Sequence, residues 1–241
     1  SMTRAHVSTW YNYEFNYDSH YHEVFFDQFV QNFPLWCDLV QTVYLIDSNG
    51  TWNFTEEDKQ RLWKHKKDVV FYKSPIDAHH NMQFQNFLPQ IKEEDILYMD
   101  NDCFILDRSG VEDWFTKQTS HYWNWEGGNV FVLSDVGCIR EPIKKKFLRM
   151  RERNAVSFYF NHFLITRKFL KRIGDKLDLA EYHPFPEGTH IPELDYTTKK
   201  DEWCEHHGKL VYQILADGAW TEMPIYPGQG FHHLHSVSKA Y

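Results

Sequence analysis

A chain of 241 residues with 42% hydrophobic and 17% aromatic content can bury one sizeable core, which excludes a disordered chain and makes one domain over residues 2–241 the expectation. A net charge of -8 and a pI near 6.0 argue against general polyanion binding. Four cysteines without Cys-x-x-Cys spacing read as thiols in a reducing compartment. With no basic-then-apolar leader and no apolar run near the ~20 residues of a membrane helix, the expectation is a cytoplasmic protein without a membrane span. Ser1 is set aside as a cloning remnant.

Residues 6–14 read as a strand. Residues 21–33 place Val24, Phe25, Phe29 and Val30 at helical spacing, and Pro34 is expected to end that helix. Residues 39–46 read as a buried strand closing on the turn Asp47-Ser48-Asn49-Gly50. Thr55-Glu56-Glu57-Asp58 is an acidic helix start ahead of Leu62 and Trp63. The sequon matches at Asn49 and Asn53 read as turn chemistry. Residues 69–72 form a short strand, and residues 78–91 a helix leading into a strand that ends at Asp100. This β-α-β-α-β-α-β order predicts an α/β fold, a single Rossmann-like domain with a mostly parallel central sheet covered by helices. Such sheets bind ligands outside the carboxyl ends of their strands, where Asp47, Asp100 and Asp102 fall.

The second half is less regular. Gly127-Gly128-Asn129 opens an apolar strand, and residues 141–153 and 162–173 read as helices. Residues 182–196, with three prolines, read as a long loop, and residues 199–215 as a helix. Arg140, Lys144, Lys145, Lys146, Arg149, Arg151 and Arg153 form a basic island that fits a solvated helix or a contact for a phosphate-rich partner, nucleic acid included. The tail carries His232, His233 and His235 behind Gly228-Gln229-Gly230.

The chemistry concentrates at residues 96–107. An apolar approach, Ile96-Leu97-Tyr98-Met99, runs into Asp100 and Asp102 with Asn101 between them. Carboxylates are expensive to desolvate unpaired, so a pair at the tip of an apolar strand calls for a cation or a ligand. Hard oxygen donors suit Mn²⁺ or Mg²⁺, which bind through one or two carboxylates while a substrate phosphate completes the shell. The tail histidines can add an imidazole. An acidic turn capping the next helix is the plainer alternative.

The strand ending in Tyr98-Met99-Asp100-Asn101-Asp102, between Phe87-Leu88-Pro89 and Cys103-Phe104-Ile105, resembles the Asp-x-Asp motif of nucleotide-sugar glycosyltransferases with the A-type fold, the group that includes glycogenin-like enzymes. Ser8-Thr9-Trp10-Tyr11 is similar to that family's base-holding segment, and Gly127-Gly128-Asn129 to the small-residue turn beside the donor sugar. In the glycogenin-like branch a C-terminal His ligates the metal and a Lys six positions later touches the diphosphate. His233 and Lys239 have that separation, with Ser236 and Ala240-Tyr241 in place of the branch's Gly and Pro-Trp, so His233 and His235 both remain candidates.

The resemblance implies a metal-dependent transfer from a nucleoside-diphosphate sugar to a hydroxyl acceptor, a glycan or a hydroxylated base in DNA being examples. Asp102 would be the firmest ligand of Mn²⁺ or Mg²⁺. Asp100 would ligate the metal or hold the ribose, and Thr9, Tyr11, Asn101, Gly127, Gly128, Asn129 and Lys239 would contact the donor. Asp201 and Glu202, at an expected helix start, are candidates for the base of an inverting enzyme. Residues 2–107 would form the donor half, and residues 108–241 the acceptor half and tail. Two other readings use the same acids or aromatics: a nucleotidyltransferase of similar fold, whose glycine-rich basic loop is missing here, and a non-enzymatic sugar-binding module.

Overall fold

The computed structural model describes residues 3–10, 19–47, 53–76, 80–101, 103–117, 121–122, 129–133, 137–140, 155–157, 162–172, 183–184, 187–188, 190–191, 196–197, 203–205, 220–223, 226–227 and 231–233. In chain order the strands of the first half are β1 (Arg4–Trp10), β2 (Thr42–Asp47), β3 (Val69–Lys73), β4 (Asp95–Asp100) and β5 (Cys103–Ile105). Between and after them lie α1 (Ser19–Trp36), α2 (Glu56–Trp63), α3 (His80–Phe87) and α4 (Arg108–Lys117). The second half contributes β6 (His121–Tyr122), β7 (Asn129–Leu133), β8 (Gly137–Arg140), β9 (Ala155–Ser157), β10 (His162–Thr166) and α5 (Arg167–Arg172). Then come β11 (His183–Pro184), β12 (His190–Ile191), β13 (Tyr196–Thr197), β14 (Trp203–Glu205), β15 (Trp220–Met223), β16 (Tyr226–Pro227) and β17 (Phe231–His233).

The main sheet has eight strands in the order β16-β6-β7-β10-β4-β1-β2-β3. Its β3-β2-β1-β4 half is parallel throughout, while β10 enters antiparallel to β4 and parallel to β7. The fold is α/β with a mostly parallel sheet, as the alternation of strands and helices predicts. Central parallel strands are covered on both faces and so run apolar without alternation. β1 is accordingly buried from Ala5 to Trp10, and β4 from Asp95 to Met99, with only Asp100 emerging.

One aromatic layer fastens α1 to the sheet. Trp10 lies edge-on to Phe26 and Phe29 at centroid distances of 5.6 and 6.0 Å, and His6 packs 4.6 Å from Trp36. This packing corrects the expectation at Pro34, which lies inside α1. A proline in the last turn forfeits few helical bonds, and Phe33 and Trp36, both buried, hold the turn beyond it. At the start of α2, Thr55 accepts from the Asp58 amide while Asp58 accepts from the Thr55 amide, so the acidic start is a reciprocal capping box.

Three expectations for the second half are corrected. Residues 162–166 are strand, and only Arg167–Arg172 is helix. An apolar run of this length does not distinguish the two by periodicity, and the slot between β4 and β7, where Leu164 and Ile165 are fully buried, decides it. The loop expected over residues 182–196 contains β11, β12 and the first residue of β13. The helix expected over residues 199–215 is extended at β14, which pairs with both β9 and β11. Among the described residues no helix is long and apolar enough to cross a membrane.

Candidate functional site

Parallel pairing brings the carboxyl ends of β1, β2 and β4 to one edge of the sheet. The register sets Thr9 opposite Asp100 and Trp10 opposite Asp47. Across β10, Tyr98 aligns with Phe163 and Phe163 with Phe131, and the same register continued carries Asn129, the first residue of β7, into the row of Asp100. With neighbouring strands ~4.8 Å apart, Asp47 and Asn129 each lie about two strand spacings from Asp100. Beyond Asn101, which is buried in the turn, the chain returns as β5. The tail strand β17 pairs antiparallel with β5 and sets His233 opposite Cys103, the residue that follows Asp102. Directly opposed Cα atoms in such a ladder are ~4.5–5.5 Å apart.

Behind the Asp100 carboxylate runs a buried chain of polar groups. The Tyr98 hydroxyl donates to Asp100 Oδ1 at 2.7 Å and lies 3.0 Å from Thr9 Oγ1, which lies 2.8 Å from His80 Nδ1. Burial and the neighbouring Asp100 charge push the Tyr98 phenol well above its ordinary range, so it remains a donor. The Thr9 hydroxyl is thus committed inward to Tyr98 and His80. Tyr98 and His80 were not among the sequence candidates. Tyr98 was within reach of the spacing, since residues two apart on a strand share a face, whereas no local pattern marks His80.

A second feature lies at the end of β2. Asp47, Asn53, Phe54, Lys59, Phe71, Tyr72 and Lys73 line a cavity of about 100 Å³. Burial drives the Asp47 carboxyl up to about 7, against the lowering effects of Lys73 and of the Phe54 amide that donates to it. Its Oδ1 is buried and has no hydrogen-bond partner among the described residues. Lys73 Nζ bonds Asn53 Oδ1 at the rim of the same cavity. The sequence placed Asp47 at a strand end, but the lining from β3 emerges only when β2 and β3 pair.

Of the candidates, Thr9, Asp100 and Asn101 are described with their side chains, and Asn129 and His233 by backbone position. Tyr11, Asp102, Gly127, Gly128, Asp201, Glu202, His235 and Lys239 lie outside the described residues, as do residues 141–153 of the basic island. Among the described residues no group of three His, Cys, Asp or Glu side chains is gathered as a metal site. The donors that the register brings to the β4 tip, carboxylate oxygens and a histidine, suit Mn²⁺ or Mg²⁺ in chemical type.

No protein-family model matches this chain, and no curated protein matches it by sequence. Among solved structures it is similar to glucosyl-3-phosphoglycerate synthase from Mycobacterium tuberculosis in complex with Mn²⁺, UDP-glucose and phosphoglyceric acid, with a TM-score of 0.48 and 9% identity over 96% of this chain and 72% of that one. It is similar also to S. aureus TarS, with a TM-score of 0.38 and 12% identity over 57% of this chain and 22% of that one. The inositol-1-phosphate CTP transferase from T. maritima gives a TM-score of 0.37 and 10% identity over 56% of this chain and 55% of that one. The chain thus spans well under two thirds of TarS. With TM-scores of 0.37 to 0.48, these likenesses leave function to be argued from the site.

Proposed function

We propose that the chain is a metal-dependent glycosyltransferase that moves a sugar from a nucleoside-diphosphate sugar to a hydroxyl acceptor. The observation that carries this reading is the pairing of β17 with β5, which brings His233 from the far end of the chain to the residue following the Asp-x-Asp pair. A turn that merely capped the next helix would need no histidine from there. Asp100 at the end of β4, with Asp47 at the end of β2 one position further along the register, adds polar groups where an α/β sheet binds ligands.

In this reading Asp102, Asp100 and His233, or His235 in its place, hold Mn²⁺ or Mg²⁺. The ion supplies Lewis-acid stabilisation of the charge that develops on the diphosphate. Lys239 adds a positive charge to the same oxygens. The cavity beside Asp47 offers carboxylate, amide and ammonium groups to the nucleoside, and Tyr11 would add a donor contact. Asn101, Gly127, Gly128 and Asn129 would contact the donor. During transfer the bond from the anomeric carbon to the phosphate oxygen breaks and a bond to the acceptor oxygen forms. In an inverting enzyme Asp201 or Glu202 takes the acceptor proton, and the nucleoside diphosphate departs. An acceptor bearing phosphates, such as a hydroxylated base in DNA, would engage the basic residues from Arg140 to Arg153.

The test is a screen of UDP- and GDP-sugars with Mn²⁺ for release of the nucleoside diphosphate. Metal-dependent release is expected, and Asp102→Asn should slow it at least about a hundredfold, since a bound cation supplies several kcal/mol to such a transition state. Release of pyrophosphate from a nucleoside triphosphate would instead favour a nucleotidyltransferase. Sugar binding without turnover would favour a carbohydrate-binding module.

A further inference from the structure

The cavity at the end of β2 contains a carboxyl whose burial is poorly offset. Asp47 is 4% exposed, and its Oδ1 has no hydrogen-bond partner among the described residues. Two ammonium groups line the same cavity, but Lys73 from β3 is turned to Asn53 Oδ1 and Lys59 from α2 lies 3.1 Å from Glu56 Oε1. Neither forms an ion pair with Asp47. Tyr72 is the remaining titratable group of the lining, and the register places the uncharged Trp10 beside Asp47 on β1. An ionised oxygen in such a place is costly, and a proton removes the charge. The empty cavity therefore holds Asp47 as a neutral acid below about 7.

Resting on the nucleoside reading of this cavity, we propose that the donor nucleotide binds there with release of a proton, an N–H group of its base taking the unpartnered Asp47 oxygen. The carboxyl O–H bond breaks, the proton passes to solvent, and the base N–H donates a hydrogen bond to the carboxylate; no covalent bond of the ligand changes. The direction follows from the partner, since a donor to the ionised form favours that form. A hydrogen bond to a charged group lowers an acid by about one to two pH units, so Asp47 moves toward the ordinary carboxylate range when the base arrives. Below about 7 the ligand must expel a proton to bind, and its affinity falls as the pH drops. Lys73 already favours the ionised form, whereas the charge of Lys59 is offset by Glu56.

The experiment uses the full chain with UDP-glucose and, separately, GDP-mannose as probes, because their phosphates are diesters and lack the second ionisation, at about 6, of a terminal phosphate. Calorimetric titrations with excess Mn²⁺, in two buffers of different ionisation enthalpy, count the protons released. Wild type should release about half to three-quarters of a proton at pH 6.5 and about a tenth at pH 8, and should bind about ten- to fiftyfold more tightly at pH 8 than at pH 5. Asp47→Asn keeps an acceptor and cannot ionise, so it should lose that release and the pH dependence that goes with it. Lys73→Met removes a charge that holds the carboxyl down, so it should move the release to higher pH, and it carries the test should Asp47→Asn not bind. Equal proton release in wild type and Asp47→Asn, or a release profile that Lys73→Met leaves in place, would overturn the proposal. If the two variants also bind both probes as wild type does at every pH, the nucleoside lies elsewhere and the reading of the cavity falls with it.

Discussion

Two buried titratable groups, His6 and Asp47, pull stability in opposite directions. Burial lowers His6 to about 3, so between that value and its ordinary 6.5 the unfolded chain binds a proton that the native state refuses. Stability from this group falls as pH drops through that window. Asp47 does the reverse. Its carboxyl is raised from 3.8 to about 7, so the native state holds the extra proton between those values, and stability falls as pH rises through them. From pH 4 to 6.5 the two slopes oppose each other. Asp47→Asn keeps an acceptor for the Phe54 amide and removes the buried charge, so the variant should be more stable than wild type by about 2–4 kcal/mol at pH 8 and equal to it near pH 4. Below pH 6.5 its stability should fall with an unopposed slope of about 1.4 kcal/mol per pH unit. Denaturant titrations at several pH values check both statements, and equal stability of the two proteins at pH 8 would show that Asp47 is solvated.

At the scale of elements, the pairing of β5 with β17 joins the acid turn to the tail. By composition alone the tail, rich in His and poor in apolar residues, would serve ligation with little part in the fold. The structure makes Phe231–His233 a backbone partner of the buried Cys103–Ile105, so removing residues 231–241 strips hydrogen bonds from an interior strand as well as donors from the site. Side chain and strand separate cleanly in His233→Ala. The ladder bonds belong to the backbone, so this variant should keep its melting temperature within a degree or two, while Mn²⁺ affinity in the presence of a nucleoside diphosphate falls at least about tenfold. Calorimetry and thermal melts read the two quantities. A lower melting temperature with unaltered Mn²⁺ affinity would assign His233 to the fold and return His235 as the candidate.

At the scale of the whole molecule, β10 joins the parallel β3-β2-β1-β4 unit to β7 and β6. Its Leu164 is fully buried and paired on one side with Leu97 and on the other with Val132. Leu164→Ala should therefore destabilise the protein by about 2–5 kcal/mol, the range for deleting a core leucine with incomplete collapse of the cavity. Equilibrium unfolding in urea measures this. A loss below 1 kcal/mol would mean that the β4 to β10 seam adjusts freely. Since the same seam carries the register from Asp100 to Asn129, the variant also tests how strictly the row at the sheet edge depends on β10.

The sequence by itself determined the parallel half and the edge that carries the candidate site. The strands up to Asp100 are short apolar runs separated by helical periods, turn residues and a capping motif, and each of these signals is local, which is why Thr55 and Asp58 were legible as a cap and Asp100 as a strand tip. Only tertiary structure decided the rest. Residues 162–166 become strand because a slot between β4 and β7 accepts them, β14 is extended because β9 and β11 pair with it, and Pro34 stays in a helix because Phe33 and Trp36 are buried around it. The hydrogen-bond chain from His80 to Asp100 joins residues 71 and 89 positions apart in two of its links, and His233 meets Cys103 from the far end of the chain. Pairings over such separations leave no periodicity in the sequence, because their partners are chosen by the sheet's register and not by neighbours along the chain.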